Sequence, residues 1–211
     1  MIDSNIENYA EEHTKPASNV LQNLYRETHL KALHPRMLSG KLQGKLLQFI
    51  SQMIKPKKVL EIGTFTGYSA ICMAEGLLEN GVLHTIEINN ELEEIANLFF
   101  EKAALTDKIK FYIGNALDII PKIDDKFDLV FIDADKKNYC EYYKLVFDKV
   151  KKGGFIIADN VLWSGKVLEK PYHNDKDTIG IIAFNELIQK DERVDNLLLP
   201  FRDGLMIIRK K

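Results

Sequence analysis

No stretch of the chain approaches the ~20 consecutive apolar residues that a membrane span needs, so the sequence offers no transmembrane segment. Cysteine is scarce. Cys72 and Cys140 are the only two; they exclude a disulfide framework or a zinc-type cluster and make a reducing cytoplasm the simplest setting. His13, His29, His34, His84 and His173 show no ligand spacing and read as ordinary surface or core residues. An excess of either charge is also lacking: 29 basic and 31 acidic side chains leave a net charge of −2. That makes no strong electrostatic case for nucleic acid, although a local basic patch stays open. The opening MIDSNIENYAEEHTK is polar and acidic, so neither a signal peptide nor a transit peptide is expected. There is no internal repeat and no low-complexity segment.

What is present fits an ordinary globular domain. With 211 residues, 45% apolar and 28% charged, the chain is expected to form one domain over 1–211 around a single core. Residues 1–57 read as a helical preface. A helix over 5–12 is followed by one capped by Ser18 or Asn19 and closed by Pro35; 37–40 read as a loop, and a further amphipathic helix carries Leu42, Leu46, Leu47, Phe49, Ile50 and Met53. Pro56 then launches the sheet core, 58–211. Short apolar runs at 59–62, 83–87, 109–113, 129–132 and 155–158 alternate with helical patterns at about 69–78, 90–104, 116–120 and 139–150. Such alternation predicts an α/β fold: a mostly parallel sheet with helices on both faces. Gly153-Gly154 reads as a turn before the fifth strand. A last helix, 179–190, precedes runs at 194–199 and 205–209, which flank an Asp203-Gly204 hairpin signal. This hairpin is expected to set an antiparallel strand at one end of the parallel sheet.

The loop after the first strand, in VLEIGTFTG, has Gly63 and Gly67 but lacks the middle glycine of the dinucleotide fingerprint G-x-G-x-x-G. Glu61 would sit badly beside a pyrophosphate; it suits a cationic ligand, the ammonium or sulfonium of S-adenosylmethionine. Glu87 ends the second strand, where an acid commonly accepts hydrogen bonds from ribose hydroxyls; alone it does not separate that ligand from a nicotinamide cofactor. Gly114-Asn115-Ala116 follows the third strand, and its small side chains leave room for an adenine. The fourth and fifth strands, LVFIDADKKNY and FIIADNVLWSG, end in Asp133 and in Asp159-Asn160. Two carboxylates and an amide are hard oxygen donors, suited to Mg²⁺, Mn²⁺ or Ca²⁺. Lys136, three residues after Asp133, is then a candidate general base, because a neighbouring cation disfavours its charged form.

EIGTFTGYSA, IEIN, GNA, IDADKKNY and ADNVLWSG, in this order, resemble the cation-dependent S-adenosylmethionine O-methyltransferases, a family that includes caffeoyl-coenzyme A O-methyltransferases and, more distantly, catechol O-methyltransferase. The likeness runs from Met37 to the closing LLLPFRDGL. It implies a Rossmann-like class I methyltransferase fold, with a seven-stranded, mostly parallel sheet and one antiparallel strand. It also implies roles. Ser39, Glu61, Gly63, Thr64, Ser69, Glu87, Ala116 and Asp133 would hold S-adenosylmethionine. Asp133, Asp159 and Asn160 would hold the divalent cation, Mg²⁺ first among candidates, and Lys136 would be the base. Met37, Trp163 and Ser164, with Tyr172 in a poorly aligned region, would line the acceptor pocket; Trp163 either stacks on the acceptor ring or simply packs at its loop.

The expected function is metal-dependent methyl transfer to a small catechol-like or phenolic hydroxyl, by a homodimer whose interface the apolar N-terminal helices could supply. A tRNA hydroxyuridine O-methyltransferase with the same core is the alternative. A nicotinamide-dependent oxidoreductase is opposed by the missing glycine, and a non-catalytic binding protein by the intact set of acids, amide and lysine.

Overall fold

Pro56 stops one helix and frees the chain to enter the sheet, and from that point strand and helix alternate as the apolar pattern predicts. The computed structural model describes residues 4–211. Before Pro56 come α1 (Ser4–Glu12), α2 (Asn19–Lys31) and α3 (Gly40–Ile54). Ser18 is the N-cap of α2, its hydroxyl accepting from the Leu21 N–H at 3.4 Å. After it follow β1 (Lys58–Ile62), α4 (Tyr68–Ala74), β2 (Val82–Glu87), α5 (Glu93–Lys102), β3 (Ile109–Ile113), α6 (Ala116–Ile119), β4 (Phe127–Ile132), α7 (Tyr139–Phe147), β5 (Val150–Asp159), α8 (Lys176–Lys190), β6 (Val194–Leu199) and β7 (Leu205–Lys210).

The seven strands form one sheet in the order β3-β2-β1-β4-β5-β7-β6, all parallel except β7. Side chains alternate across it. On β1, Leu60 and Ile62 join the core beneath α7 and α8, with Tyr139, Tyr143 and Phe184. Val59 points to the opposite core, built with Leu47, Ile71, Phe99 and Leu205. Burial on both faces explains why the central strands read as unbroken apolar runs. No helix among the described residues is long and apolar enough to cross a membrane.

The antiparallel strand β7 stands beside β5, at one end of the parallel run β3-β2-β1-β4-β5, and β6 lies outside it. Leu205, Met206 and Ile208 of β7 are buried, whereas Asp195, Asn196 and Leu197 make β6 the strand suited to an edge. Two expectations are corrected. Gly153-Gly154 is no turn before a strand but an irregularity inside β5, where the register against β4 shifts between Phe127 and Leu129. The first crossover helix ends at Ala74 rather than near Leu78, because Gly76 brings the chain hard against α3: a Cβ there would lie 2.4 Å from the Ser51 backbone.

Candidate active site

β1 and β4 are neighbours, yet their crossovers leave in opposite directions, to β2 and to β5. The carboxyl ends of such a pair open a crevice. Here it is a cavity of about 770 Å³ walled by the loops after β1 through β5, by 36–43 of the preface and by the 202–203 turn.

The loop after β1 forms one wall. Gly63 and Gly67 both take left-handed φ values, +97° and +93°. The Gly63 and Thr64 N–H groups both donate to the Ile86 carbonyl, at 2.9 and 3.2 Å, tying the loop to β2. Beneath it lies Glu61, fully buried and without a lysine or arginine partner among the described residues. Thr85 donates to its Oε2, while its Oε1 makes no hydrogen bond to any described residue. Burial pushes this carboxyl up to about 8; the charges of Asp133 and Glu87 add to the rise, and Ser69 and Thr85 offset part of it. A buried carboxyl with a free oxygen and no counter-ion is suited to a cationic group. Glu61 itself does not reach the cavity wall, whereas Gly63, Thr64 and Ser69 do.

Glu87 ends β2 in the wall. Its Oε2 accepts from Phe65 N–H at 2.7 Å and its Oε1 from Asn89 N–H at 2.9 Å, so both oxygens are held and their remaining lone pairs stay available. After β3, Asn115 caps α6 by accepting from Leu117 N–H at 3.0 Å, and Ala116 is the buried first residue of that helix.

The chemistry converges beyond β4 and β5. Asp133, Lys136 and Tyr139 recur at three-residue spacing. The buried Lys136 Nζ donates to Asp133 Oδ1 at 2.9 Å and to Tyr139 Oη at 2.7 Å. Tyr139 in turn donates to the Asp159 carbonyl at 3.0 Å. Burial opposes the ammonium, but Asp133 and Tyr139 outweigh it and hold Lys136 above the usual lysine range. Asp159 is buried too, with Oδ1 accepting from Asn160 N–H at 2.7 Å and Oδ2 from Gln43 Nε2 at 2.5 Å. Burial, then the charge of Asp133, pushes it up to about 7. Asn160 adopts a left-handed φ of 58° and donates weakly to Asp203 at 3.5 Å. The donor set at this end is therefore two carboxylates and one amide. No cage of three or more His, Cys, Asp or Glu side chains exists among the described residues.

Of the residues singled out from sequence, Met37, Ser39, Gly63, Thr64, Ser69, Glu87, Ala116, Asp133, Lys136, Asp159, Asn160 and Trp163 line the cavity. Ser164 does not: Asp203 accepts its N–H, and a left-handed turn at Ser164-Gly165 leaves the residue exposed. Tyr172 is also exposed and lies outside the wall. Sequence reasoning missed Gln43, Tyr139, Arg202 and Asp203. Tyr139 carried a signal, the 133-136-139 spacing. Gln43 carried a fainter one: it shares four-residue spacing with Leu47 and Ser51 on the buried face of α3.

A family model described as O-methyltransferase matches residues 11–211. Caffeoyl-CoA O-methyltransferase 2 of Petunia hybrida is 35% identical over 198 residues, covering 86% of this chain and 80% of the relative. Among solved structures, an O-methyltransferase from Bacillus cereus in complex with SAH is 32% identical with a TM-score of 0.92, covering 98% of this chain and 97% of that one. The O-methyltransferase TomG from Streptomyces achromogenes, in complex with SAM, is 28% identical with a TM-score of 0.89, covering 98% and 96%.

Proposed function

We propose that this chain, which belongs to the O-methyltransferase family, transfers the methyl group of S-adenosylmethionine to a phenolic hydroxyl of a small catechol-like acceptor, with a divalent cation as cofactor. One observation carries the reading: a single cavity has the Gly63 loop, Glu87 and Ala116 at one end and Asp133, Lys136, Asp159 and Asn160 at the other. The SAM and SAH named in the related structures support the donor. The caffeoyl group named in the curated relatives carries vicinal phenolic oxygens, which supports the acceptor class. No comparable observation favours tRNA.

On this reading Gly63, Thr64 and Ser69 cradle the amino acid end of the donor, and the cationic group there favours the ionised form of the buried Glu61 beneath them, which burial otherwise holds protonated up to about pH 8. Glu87 accepts from the ribose hydroxyls, and Ala116 leaves space for the adenine. The hard oxygens of Asp133, Asp159 and Asn160 fit a divalent cation, which when bound orients vicinal acceptor oxygens and lowers the pKa of the hydroxyl to be methylated. Lys136 Nζ faces the same space and takes the hydroxyl proton. While Asp133 pairs with it, Lys136 stays an ammonium; its work as a base requires that Asp133 be engaged elsewhere, which is the ligand role proposed for that carboxylate. The acceptor oxygen then takes the methyl carbon from the sulfonium sulfur. Holding both partners in one cavity supplies much of the acceleration, since effective molarities reach about 10⁵ M or more. Exposed apolar side chains on the preface, such as Phe49 and Met53, support the expected homodimer.

The test is methyl transfer to a panel of catechol, caffeate, a flavonoid and bulk tRNA, with and without a chelator. Transfer to a vicinal diol that stops with chelator and returns with Mg²⁺ or Mn²⁺ is expected. Full activity in the chelator overturns the metal assignment, and transfer to tRNA alone overturns the acceptor class.

A further inference from the structure

Gln43 belongs to α3 of the helical preface, 116 residues before Asp159, yet its amide reaches the floor of the cavity. It is 1% exposed, and both of its polar atoms are engaged. Nε2 donates to Asp159 Oδ2 at 2.5 Å, and Oε1 accepts from Arg202 Nη1 at 2.9 Å. Arg202 also donates to the Ser39 carbonyl, so the guanidinium is itself held against the start of α3.

The chemistry of the partners sets the direction of the amide. A guanidinium only donates and an ionised carboxylate only accepts. Flipping the amide would set oxygen against oxygen at Asp159 and N–H against N–H at Arg202. The depth of Gln43 is set by its neighbour Gly44, where a Cβ would lie 2.5 Å from the Tyr68 ring and 2.9 Å from Cys72 Sγ. Only glycine lets α3 come this close to α4. The Asp159 carboxylate is thus gripped once at each oxygen, by Asn160 N–H and by Gln43, and each oxygen keeps a lone pair for another ligand.

We propose that Gln43 is a positioning residue that orients the Asp159 carboxylate for the divalent cation, and that Arg202 sets the direction of the Gln43 amide. The inference rests on the metal-dependent reading above and extends it to the preface, which then shapes the reactive end of the cavity and not only its rim. Groups that hydrogen-bond a metal ligand typically matter about 10–100-fold in metal affinity.

The experiment is calorimetric titration of the full chain with Mn²⁺ alone and, separately, with S-adenosylhomocysteine. In Gln43→Met the Mn²⁺ dissociation constant is expected to rise about 10–100-fold, while that for S-adenosylhomocysteine stays within about twofold of wild type. Equal Mn²⁺ affinity in wild type and Gln43→Met overturns the proposal alone. Parallel loss of both affinities marks a purely structural role and overturns it as well. A wild-type chain that takes up no Mn²⁺ overturns the metal reading, and this inference with it. If Gln43→Met does not fold, Arg202→Met, shown folded by circular dichroism, carries the test: weakened Mn²⁺ binding supports the proposal, and unchanged binding overturns it.

Discussion

Gly63 and Asp133, the first residues beyond β1 and β4, lie so close that a Cβ on Gly63 would sit 1.9 Å from the Asp133 carbonyl oxygen. The Asp133 N–H also donates to the Ile62 carbonyl at 2.8 Å. The loop assigned to the donor and the loop that opens the proposed metal end are therefore one packed unit.

Gly63→Ala is expected to damage both ends of the cavity at once. Overpacking costs about 1–3 kcal/mol, and a left-handed φ adds about 1–2 kcal/mol for an L residue. A lowered unfolding midpoint together with weakened S-adenosylhomocysteine binding is the expected result; native affinity for that ligand would contradict the packing described.

A second glycine tests the loop from the other side. A Cβ on Gly180, in α8, would lie 2.7 Å from the Lys136 carbonyl and 2.7 Å from Lys137 Cα. Alanine gains about 1 kcal/mol over glycine in helix propensity, but relieving the clash displaces Lys136. Gly180→Ala is expected to lower kcat about tenfold or more with little change in melting temperature. Steady-state kinetics beside a thermal melt decides it, since a stabilised and fully active variant would show that α8 does not hold the loop.

Lys136→Met is expected to lower kcat by about 10²–10⁴-fold, the usual contribution of a general base. It also leaves Asp133 and Asp159 facing one another without the ammonium, so the variant is expected to melt lower than wild type. Unchanged turnover across pH would remove the lysine from the reaction.

His84 predicts a pH dependence of stability remote from the cavity. It is buried on β2, with Nδ1 3.0 Å from Tyr112 Oη and Nε2 3.1 Å from Asp125. Burial pushes its pKa below the ordinary histidine value, against the charge of Asp125. The unfolded chain then takes up a proton before the folded one does. His84 thus costs nothing well above about pH 6.5, and stability is lost as the pH falls from there toward the lowered folded value. Glu61 and Asp159, raised by burial, act in the opposite sense. Urea unfolding of wild type against His84→Gln between pH 5 and 8 isolates the histidine: only wild type should show the added loss in acid.

Trp163 is the single tryptophan of the chain and stands in the cavity wall. A catechol entering the reactive end is expected to change its emission saturably, with the same midpoint as the KM measured for that acceptor. Fluorescence that does not respond to a turned-over acceptor would place Trp163 away from it.

Much of this site was legible because strands advertise their ends. Apolar runs that stop at Gly63, Glu87, Asp133 and Asp159 mark the carboxyl edges of parallel strands, and a doubly wound sheet brings such edges to one side. The chain alone therefore determined the alternation of strand and helix, the loop glycines, and the meeting of Asp133, Lys136, Asp159 and Asn160. Tertiary structure decided the rest. It seated β7 inside the sheet, where Leu205, Met206 and Ile208 are buried, and left β6 at the edge with Asp195, Asn196 and Leu197 exposed, although the two strands are equally apolar in composition. It sent Ser164 outward through a left-handed turn that Trp163 and Ser164 share with Gly165, and only the glycine is of a type that announces it. It buried Glu61 beneath its loop rather than in the wall. It delivered Gln43 to Asp159, and Arg202 to Gln43, from distant parts of the chain, because a side chain's partner across a packed interface depends on how closely two elements approach, as at Gly44 and Tyr68, and no local pattern in either segment records that distance.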